Sequence, residues 1–113
     1  MIEDAMSVID KLSHDFPLSN LIITGGEPTL HNNFFEIVEY ACNRFSKVII
    51  NSNGMFSKDT SDGLKKYLQA NLYIQFSLDG SELIHDSLRG LGSFKHVLFM
   101  IDSFRDFASH VFI

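Results

Sequence analysis

The sequence predicts an α/β fold in which parallel strands alternate with helices, as in a section of a larger α/β barrel with its helices outside. Short apolar runs are each followed by a helical pattern of apolar residues, three times in succession. Each unit exceeds the roughly dozen residues that a right-handed parallel crossover needs. A turn rich in glycine or polar residues follows each run, which is where such folds place their ligand sites.

The two ends of the sequence shape the expected domain organisation. The first helical pattern has no strand before it, and the chain closes on the apolar run Val111–Ile113, which is expected to open a fourth strand. Because a parallel sheet needs neighbouring strands and helices on all sides, we expect residues 1–113 to form one partial domain.

A helix followed by a strand is predicted first. Residues 3–14 place Met6, Ile9 and Leu12 on one helical face. Pro17 is expected to end that helix, because proline cannot donate the backbone hydrogen bond that continues one. The apolar run from Leu21 to Thr24 then predicts the first strand.

The second helix has the clearest start signal. Asn33 is expected to cap it while Glu36, three residues later, reaches back, as in a capping box. Its apolar stripe consists of Phe34, Ile37, Val38, Ala41, Cys42 and Phe45. Cys42 is the one cysteine in the chain, so it excludes a disulfide framework, and within this stripe it is interpreted as a small buried hydrophobe.

The middle of the chain predicts two further strands and the helix between them. The second strand, Lys47–Asn51, is closed by the turn Ser52-Asn53-Gly54, and a helix is expected from Ser61 to Ala70. The third strand, Leu72–Leu78, alternates between apolar and polar side chains. Since a parallel strand covered on both faces should be apolar throughout, the polar face of this strand is expected to border a cavity.

The last third of the chain is expected to contain a long connection and one more helix. Ser81–Gly92 is interpreted as a connection, and the helix is expected to be capped by Ser93. The apolar stripe of that helix comprises Phe94, Val97, Leu98, Ile101 and Phe104.

The loop Thr24–Leu30 is the strongest functional candidate. Gly25 and Gly26 allow unusual backbone angles and close approach of a ligand, and Pro28 stiffens the loop. A carboxylate at Glu27 would repel phosphate, so the loop favours a ligand that carries an ammonium group over a phosphate.

Composition narrows the class of protein. The 113 residues carry a net charge of −5 with 45% hydrophobic and 20% charged residues, which indicates a globular chain with no nucleic-acid or membrane partner. No apolar run approaches the roughly 20 residues of a membrane span, and the start lacks the pattern of a signal peptide. A cytoplasmic protein is therefore expected.

Taken together, the strand-end motifs resemble the radical S-adenosylmethionine (radical SAM) superfamily. The motifs are Ile23–Pro28, Asn53-Gly54, Ser77–Gly80, His85-Asp86, Arg89-Gly90 and Gly92-Ser93-Phe94. Their order and spacing are similar to the group with auxiliary iron–sulfur domains (SPASM or twitch type), which includes peptide-modifying and sulfatase-maturing enzymes.

This resemblance implies a partial (β/α)6 barrel that holds S-adenosylmethionine at the carboxyl ends of its strands, in a cytoplasmic oxidoreductase. The glycine loop would meet the methionyl ammonium, Ser77 and Arg89 would contact the cofactor, with Arg89 directed to its carboxylate, and Asp79 would bind a hydroxyl or brace its loop. The predicted cofactor-binding residues are Gly25, Gly26, Glu27, Pro28, Asn53, Ser77, Asp79 and Arg89. The competing interpretation of Arg89 is a surface pair with Asp86 or Glu82.

The resemblance also implies a four-iron four-sulfur cluster, reductive cleavage of the cofactor to a 5′-deoxyadenosyl radical and hydrogen abstraction, with a peptide as a candidate substrate. The family holds its cluster with three cysteines in a loop after the first barrel strand, and Cys42 does not match them. We therefore expect these residues alone to assemble no cluster and to be inactive. His31 and His85 lack a partner at metal-ligand spacing, so hydrogen bonding within loops is expected of them.

Two other interpretations remain open at this point. One is a non-redox α/β module that binds an amino acid or a nucleotide. The other is a half-barrel that self-associates through its apolar sheet edges, since unpaired edges promote pairing between chains.

Overall fold

A computed structural model of the chain describes residues 2–17, 19–25, 27–68 and 70–113. The strands are β1 (Asn20–Ile23), β2 (Lys47–Ser52), β3 (Leu72–Phe76) and β4 (Val111–Phe112). The helices are α1 (Ile2–Asp15), α2 (Phe34–Cys42), α3 (Lys58–Tyr67), α4 (Glu82–Arg89) and α5 (Ser93–Ser103), with short 3-10 turns at Pro28–Leu30 and Arg105–His110. Among the described residues, no helix is both long enough and apolar enough to cross a membrane.

The four strands form one parallel sheet in the order β1-β2-β3-β4. Ile23 pairs with Ile50, and Ser52 pairs with Phe76, so the carboxyl ends of β1, β2 and β3 lie at the same edge of the sheet. Val111 pairs with Ile74, which confirms the fourth strand. The predicted class, a parallel α/β section with crossover helices, is therefore confirmed.

The helices cover one face of the sheet. The side chains on that face form the core with the helix stripes, and the strand residues among them are Val48, Ile50, Leu72, Ile74 and Phe76, each at most 1% exposed. The opposite face is open: Ile22 is 55% exposed, and Gln75 and Phe112 are also exposed. The alternation predicted for the third strand is thus present, with its polar side on the open face.

Helix α1 is fastened to α2 by a polar contact outside the core. The hydroxyl of Tyr40 donates to the carboxylate of Asp10 at 2.7 Å, and the Arg44 Nε donates to the same carboxylate at 2.8 Å. The Tyr40 hydrogen bond, aided by Arg44, lowers the pKa of Asp10. These hydrogen bonds fix α1, which lies along one side of the loop that follows β1.

Two predicted segments need correction. The segment Ser81–Gly92 is not an open connection, because residues 82–89 form α4. The third helix starts at Lys58, three residues earlier than predicted, since the Ser57 hydroxyl accepts from the Thr60 N–H at 3.2 Å and caps it there.

The two predicted caps also differ in detail. Asn33 occupies the cap position of α2, but its side chain accepts no backbone N–H; its amide donates to the Glu36 carboxylate at 3.2 Å instead. Ser93 is the first residue of α5 and does not cap it. The free N–H groups there donate to the carboxylate of Asp86, from Gly92 at 3.0 Å and from Phe94 at 2.8 Å.

Candidate functional site

The candidate site is built from the loops that leave β1, β2 and β3. Because parallel strands lie about 4.8 Å apart, the ends of β1 and β3 are separated by roughly 10 Å, and the end of β2 lies between them. A ligand that contacts both outer loops therefore has to cross the end of β2.

Glu27 links the first two loops. Its Oε2 accepts from the Ser52 hydroxyl at 3.0 Å and from both the hydroxyl and the backbone N–H of Thr29. Its Oε1 accepts from the backbone N–H of Asn53 at 2.9 Å. The side chain is thus turned inward toward β2 and not into bulk water.

This arrangement leaves a limited capacity for a ligand at Glu27. A carboxylate offers about four acceptor positions, two on each oxygen. Oε2 is occupied by its neighbours, whereas Oε1 has one described donor, so one position on Oε1 remains for an ammonium group.

The rest of the glycine loop supports close approach from outside. Gly25 has φ +91°, a conformation that favours glycine, and a Cβ added there would meet nothing within 4 Å. Pro28 begins the 3-10 turn that follows. Gly26, also predicted to bind the cofactor, lies outside the described residues.

The turn after β2 is held by hydrogen bonds within the turn. The Asn53 side-chain carbonyl accepts from the Met55 N–H at 2.8 Å, and the Ser52 hydroxyl accepts from the Gly54 N–H at 3.1 Å. Gly54 has φ +74°, and an added Cβ would lie 3.2 Å from Val97 and 3.3 Å from Phe76. Asn53 therefore contributes to the site mainly through its backbone.

The loop after β3 carries a charged pair. The Arg89 Nε donates to the Asp79 carboxylate, and this hydrogen bond lowers the pKa of Asp79. Arg89 thus pairs with Asp79 and with neither of the two acids considered from the sequence; Glu82 lies 3.6 Å from Lys95. Ser77 is joined to the β2 loop by its backbone N–H, which donates to the Ser52 carbonyl at 3.0 Å.

A polar cavity of about 340 Å³ opens between the ends of β2 and β3. It is lined by Asn51, Gln75, Phe76, Ser77, Leu78, Asp79, Arg89 and Ile113. Small-molecule sites are typically clefts of about 300–1,000 Å³, so the volume of this cavity lies at the lower end of that range, and its lining is more polar than is usual.

Asn51 is the site residue that the sequence analysis missed. It lies in β2, as predicted, and its side chain is on the open face beside Gln75, its register partner on β3. Its Oδ1 is buried and has no hydrogen-bond partner among the described residues. A buried acceptor without a donor is costly, and a bound ligand that carries an N–H or O–H group would supply one. The position of a polar residue at a strand end was the available signal.

The predicted residues fall into two neighbouring cavities. Ser77, Asp79 and Arg89 line the polar cavity, whereas Gly25, Glu27 and Pro28 line a groove of about 560 Å³ beside α1 and α2. Among the described residues, Ser52 joins the two groups, because it contacts both the Glu27 and the Ser77 loops.

Asp86, His31 and His85 form hydrogen bonds around the site. The Asp86 carboxylate accepts from the start of α5, and those hydrogen bonds, first that of Phe94, lower its pKa. His31 and His85 both accept a backbone N–H, from Asn33 at 3.0 Å and from Asp79 at 3.1 Å. The expected hydrogen bonding of both histidines is confirmed, although His85 does so from a helix.

A metal cluster finds no matching ligands in the described part of the chain. There, no three His, Cys, Asp or Glu side chains are grouped so that they could hold a metal ion. Cys42 is partly buried against the core at the end of α2, and burial raises its pKa to about 11. Cluster ligands are thiolates, so the donor set present does not fit an iron–sulfur cluster.

Comparison with known families gives one match across almost the whole chain, to the radical SAM superfamily over residues 2–113. Among curated proteins, the chain is similar to the antilisterial bacteriocin subtilosin biosynthesis protein AlbA of Bacillus subtilis strain 168, with 40% identity over 74 residues, covering 64% of this chain and 16% of that protein.

Two other relatives are similar over longer stretches. The sporulation killing factor maturation protein SkfB of the same organism is 38% identical over 79 residues, 69% of this chain and 19% of that protein. The mycofactocin maturase MftC of Mycolicibacterium smegmatis is 35% identical over 95 residues, 81% of this chain and 23% of that protein. The chain thus spans between 16% and 23% of the lengths of these relatives.

The fold has close counterparts among solved structures. The structure described as native anSMEcpe with bound AdoMet and Kp18Cys peptide superposes with a TM-score of 0.72 at 20% identity, covering 96% of this chain and 33% of that one. A second structure, of a histidine-tagged anSMEcpe with bound AdoMet, gives the same values. This likeness concerns the fold and confirms the predicted partial barrel.

Proposed function

Because this chain belongs to the radical SAM superfamily, as the match over residues 2–113 shows, we propose that it forms part of the core domain of a radical SAM iron–sulfur oxidoreductase. The observation that carries the proposal is the polar cavity at the strand ends, where the Asn51 Oδ1 is buried without a partner among the described residues. The proposed ligand is S-adenosylmethionine, which has ammonium and hydroxyl donors as well as a carboxylate.

The proposed ammonium site is the glycine loop. Gly25, Gly26 and Pro28 would let the methionyl end lie against the backbone, and the Oε1 of Glu27 would accept one N–H of the ammonium in its remaining position. Ser52 and Asn53 hold that carboxylate in place, so its orientation needs no rearrangement when the ligand binds.

The proposed site for the rest of the cofactor is the polar cavity. The hydroxyl groups of the cofactor would donate to the Asn51 Oδ1 and to the carboxylate of Asp79. The hydroxyl of Ser77, at the end of β3, would donate to the cofactor. Arg89 already uses its Nε on Asp79, so its Nη nitrogens are the part left to donate to an oxygen of the cofactor. A planar guanidinium can serve both partners at once, because its donors point in different directions.

When bound with a four-iron four-sulfur cluster, S-adenosylmethionine supplies the reductive radical chemistry of this family. The described residues provide cofactor-binding groups and not the thiolates of a cluster. The proposal therefore assigns to this chain the binding and orientation of the cofactor, and no step of the reaction is placed on Cys42.

A peptide is the proposed substrate. The support is in the names of the relatives, a bacteriocin biosynthesis protein and a killing factor maturation protein. A cytoplasmic location and self-association through the edges of β1 and β4 remain predictions.

Isothermal titration calorimetry tests the cofactor site directly. We expect the protein to bind S-adenosylmethionine more tightly than 5′-methylthioadenosine, which lacks the amino acid end. The Glu27→Gln variant should lose about 10- to 150-fold in affinity for S-adenosylmethionine, because a hydrogen bond to a charged group contributes about 1.5–3 kcal/mol. The matched control is Glu39→Gln, an exposed acid on α2. Equal affinity of the two ligands, or no effect of Glu27→Gln, contradicts the proposal.

A further inference from the structure

His85 is a fully buried imidazole on α4, next to the loop that follows β3. Its side chain is 0% exposed, and it is the one ionisable residue among the buried polar residues of the described chain. The ring packs edge-on against Phe94, with centroids 5.8 Å apart. Neither the cofactor contacts proposed above nor the core of the sheet requires a polar ring at this position.

The orientation of the imidazole defines its protonation state at one nitrogen. Its Nδ1 lies 3.1 Å from the backbone nitrogen of Asp79 and accepts that N–H. An imidazole nitrogen accepts only when it carries no proton. His85 is therefore the neutral tautomer with its proton on Nε2.

Helix α4 holds Asp79 at two points. His85 accepts its backbone N–H, and Arg89, one helical turn later, donates to its carboxylate. The Oδ2 of that carboxylate also lies 3.9 Å from the Nδ1 of His85. The loop that includes Gly80, with φ +112°, is thus fixed by one helix through both the main chain and the side chain.

His85 buries a polar N–H group, which is costly, so its ring does more than fill space. Its Nε2 has no hydrogen-bond partner among the described residues. An apolar side chain of similar size would fill the same volume without burying an unsatisfied donor. The contribution that only a polar ring makes here is the hydrogen bond accepted at Nδ1.

We propose that His85 is a positioning residue for the cofactor site. Its neutral imidazole holds the backbone of Asp79 so that the Asp79–Arg89 pair faces the polar cavity. It acts through Asp79 and touches no ligand itself. This inference rests on the proposed function, because it takes the cavity to be the site of S-adenosylmethionine.

The test combines nuclear magnetic resonance with calorimetry on two variants. His85→Leu removes the acceptor and keeps the volume, whereas the Oδ1 of His85→Asn can replace Nδ1 as acceptor. We expect His85→Leu to speed hydrogen exchange at the Asp79 amide by about tenfold or more and to weaken S-adenosylmethionine binding by about tenfold, as the loss of one hydrogen bond predicts. His85→Asn should restore part of both.

A matched control is His96→Leu on α5. The Nε2 of His96 is also buried without a described partner, but His96 lines a cavity between α3 and α5, away from the Asp79 loop. This variant should leave both measurements unchanged. If His96→Leu weakens binding as much as His85→Leu, general destabilisation explains the result and the inference is wrong.

Two further measurements distinguish failure of the inference about His85 from failure of the proposed function. The ring nitrogen shifts of the unmodified protein must show an unprotonated Nδ1, and a protonated one overturns the inference even if His85→Leu does not fold. If the unmodified protein does not bind S-adenosylmethionine, the proposed function fails, while exchange at the Asp79 amide still decides whether His85 holds the loop. Unchanged binding by a folded His85→Leu protein overturns the positioning role.

Discussion

The backbone N–H of Asn53 donates to the Oε1 of Glu27 at 2.9 Å, across 26 positions of sequence. With the Ser52 hydroxyl on the other carboxylate oxygen, this contact ties the loop after β1 to the turn after β2. The same acid that is proposed to accept the ligand's ammonium therefore also maintains the shape of the site. Binding and local stability are expected to change together when Glu27 is altered.

Glu27→Gln should lower the free energy of unfolding. The amide of glutamine has one acceptor oxygen and one donor nitrogen, so either Ser52 or Asn53 faces a donor in place of an acceptor. A partly buried donor left without an acceptor costs about 1–3 kcal/mol. Urea denaturation measures the loss, and Glu39→Gln on the exposed face of α2 should stay within about 0.5 kcal/mol of the unmodified protein. Equal stability of both variants would show that the hydrogen bonds from Ser52 and Asn53 to Glu27 do not contribute to stability.

Gly54→Ala should destabilise the fold more than Gly92→Ala. Both glycines have positive φ, +74° and +85°, so an alanine at either position costs about 1–2 kcal/mol in backbone strain. Only at Gly54 does the new methyl group press on Val97 and Phe76, at 3.2 and 3.3 Å, which adds roughly 1–3 kcal/mol of overpacking. Thermal and urea unfolding compare the two. Equal losses would mean that the core relaxes freely around the turn.

Folding stability should decline as the pH falls below the ordinary aspartate pKa of 3.8. Hydrogen bonds from the start of α5 lower the pKa of Asp86, and Arg89 lowers that of Asp79. In that range the unfolded chain binds more protons than the folded one, so stability rises with pH. The contribution of these carboxylates is therefore full above the unfolded value and is lost as the pH falls through the folded values.

Asp86→Asn isolates one part of this pH dependence. Urea unfolding at about pH 5, 4 and 3 should show a shallower decline for this variant, because asparagine has no proton to gain. Asp62→Asn, at an exposed position on α3, should keep the slope of the unmodified protein. An equal decline in the free energy of unfolding of the unmodified protein and of both variants would show that Asp86 does not contribute to the pH dependence.

The sheet could be predicted because its signals are local. Each strand is a short apolar run, and the covered face holds residues such as Ile50 and Ile74 with no exposure. The glycine loop was also visible, since paired glycines beside an acid directly follow a predicted strand, and it gained weight only together with the motifs at the other strand ends. The position of the carboxyl ends of the strands at one edge of the sheet then follows from the parallel topology alone.

Helix α4 was missed although its sequence is amphipathic, with Leu83, Ile84 and Leu88 on one helical face. That face points to solvent and not toward the core: Leu83 is 81%, Ile84 52% and Leu88 69% exposed. Its polar contacts are with the neighbouring loop, as when His85 accepts from Asp79. Asn51 was missed for a related reason, since its role depends on the neighbouring strand.

Cys42 should react slowly with alkylating agents while the protein is folded. Burial raises the pKa of its thiol from 9.0 to about 11, and the thiolate is the reactive form, so the reactive fraction near pH 8 falls by about 100-fold. The rate of iodoacetamide modification, followed by mass spectrometry, should be much lower than in concentrated urea. A small thiol such as glutathione, treated in both solvents, corrects for the direct effect of urea. Equal rates for Cys42 in both states would show an exposed, ionisable thiol and would reopen the question of Cys42 as a metal ligand.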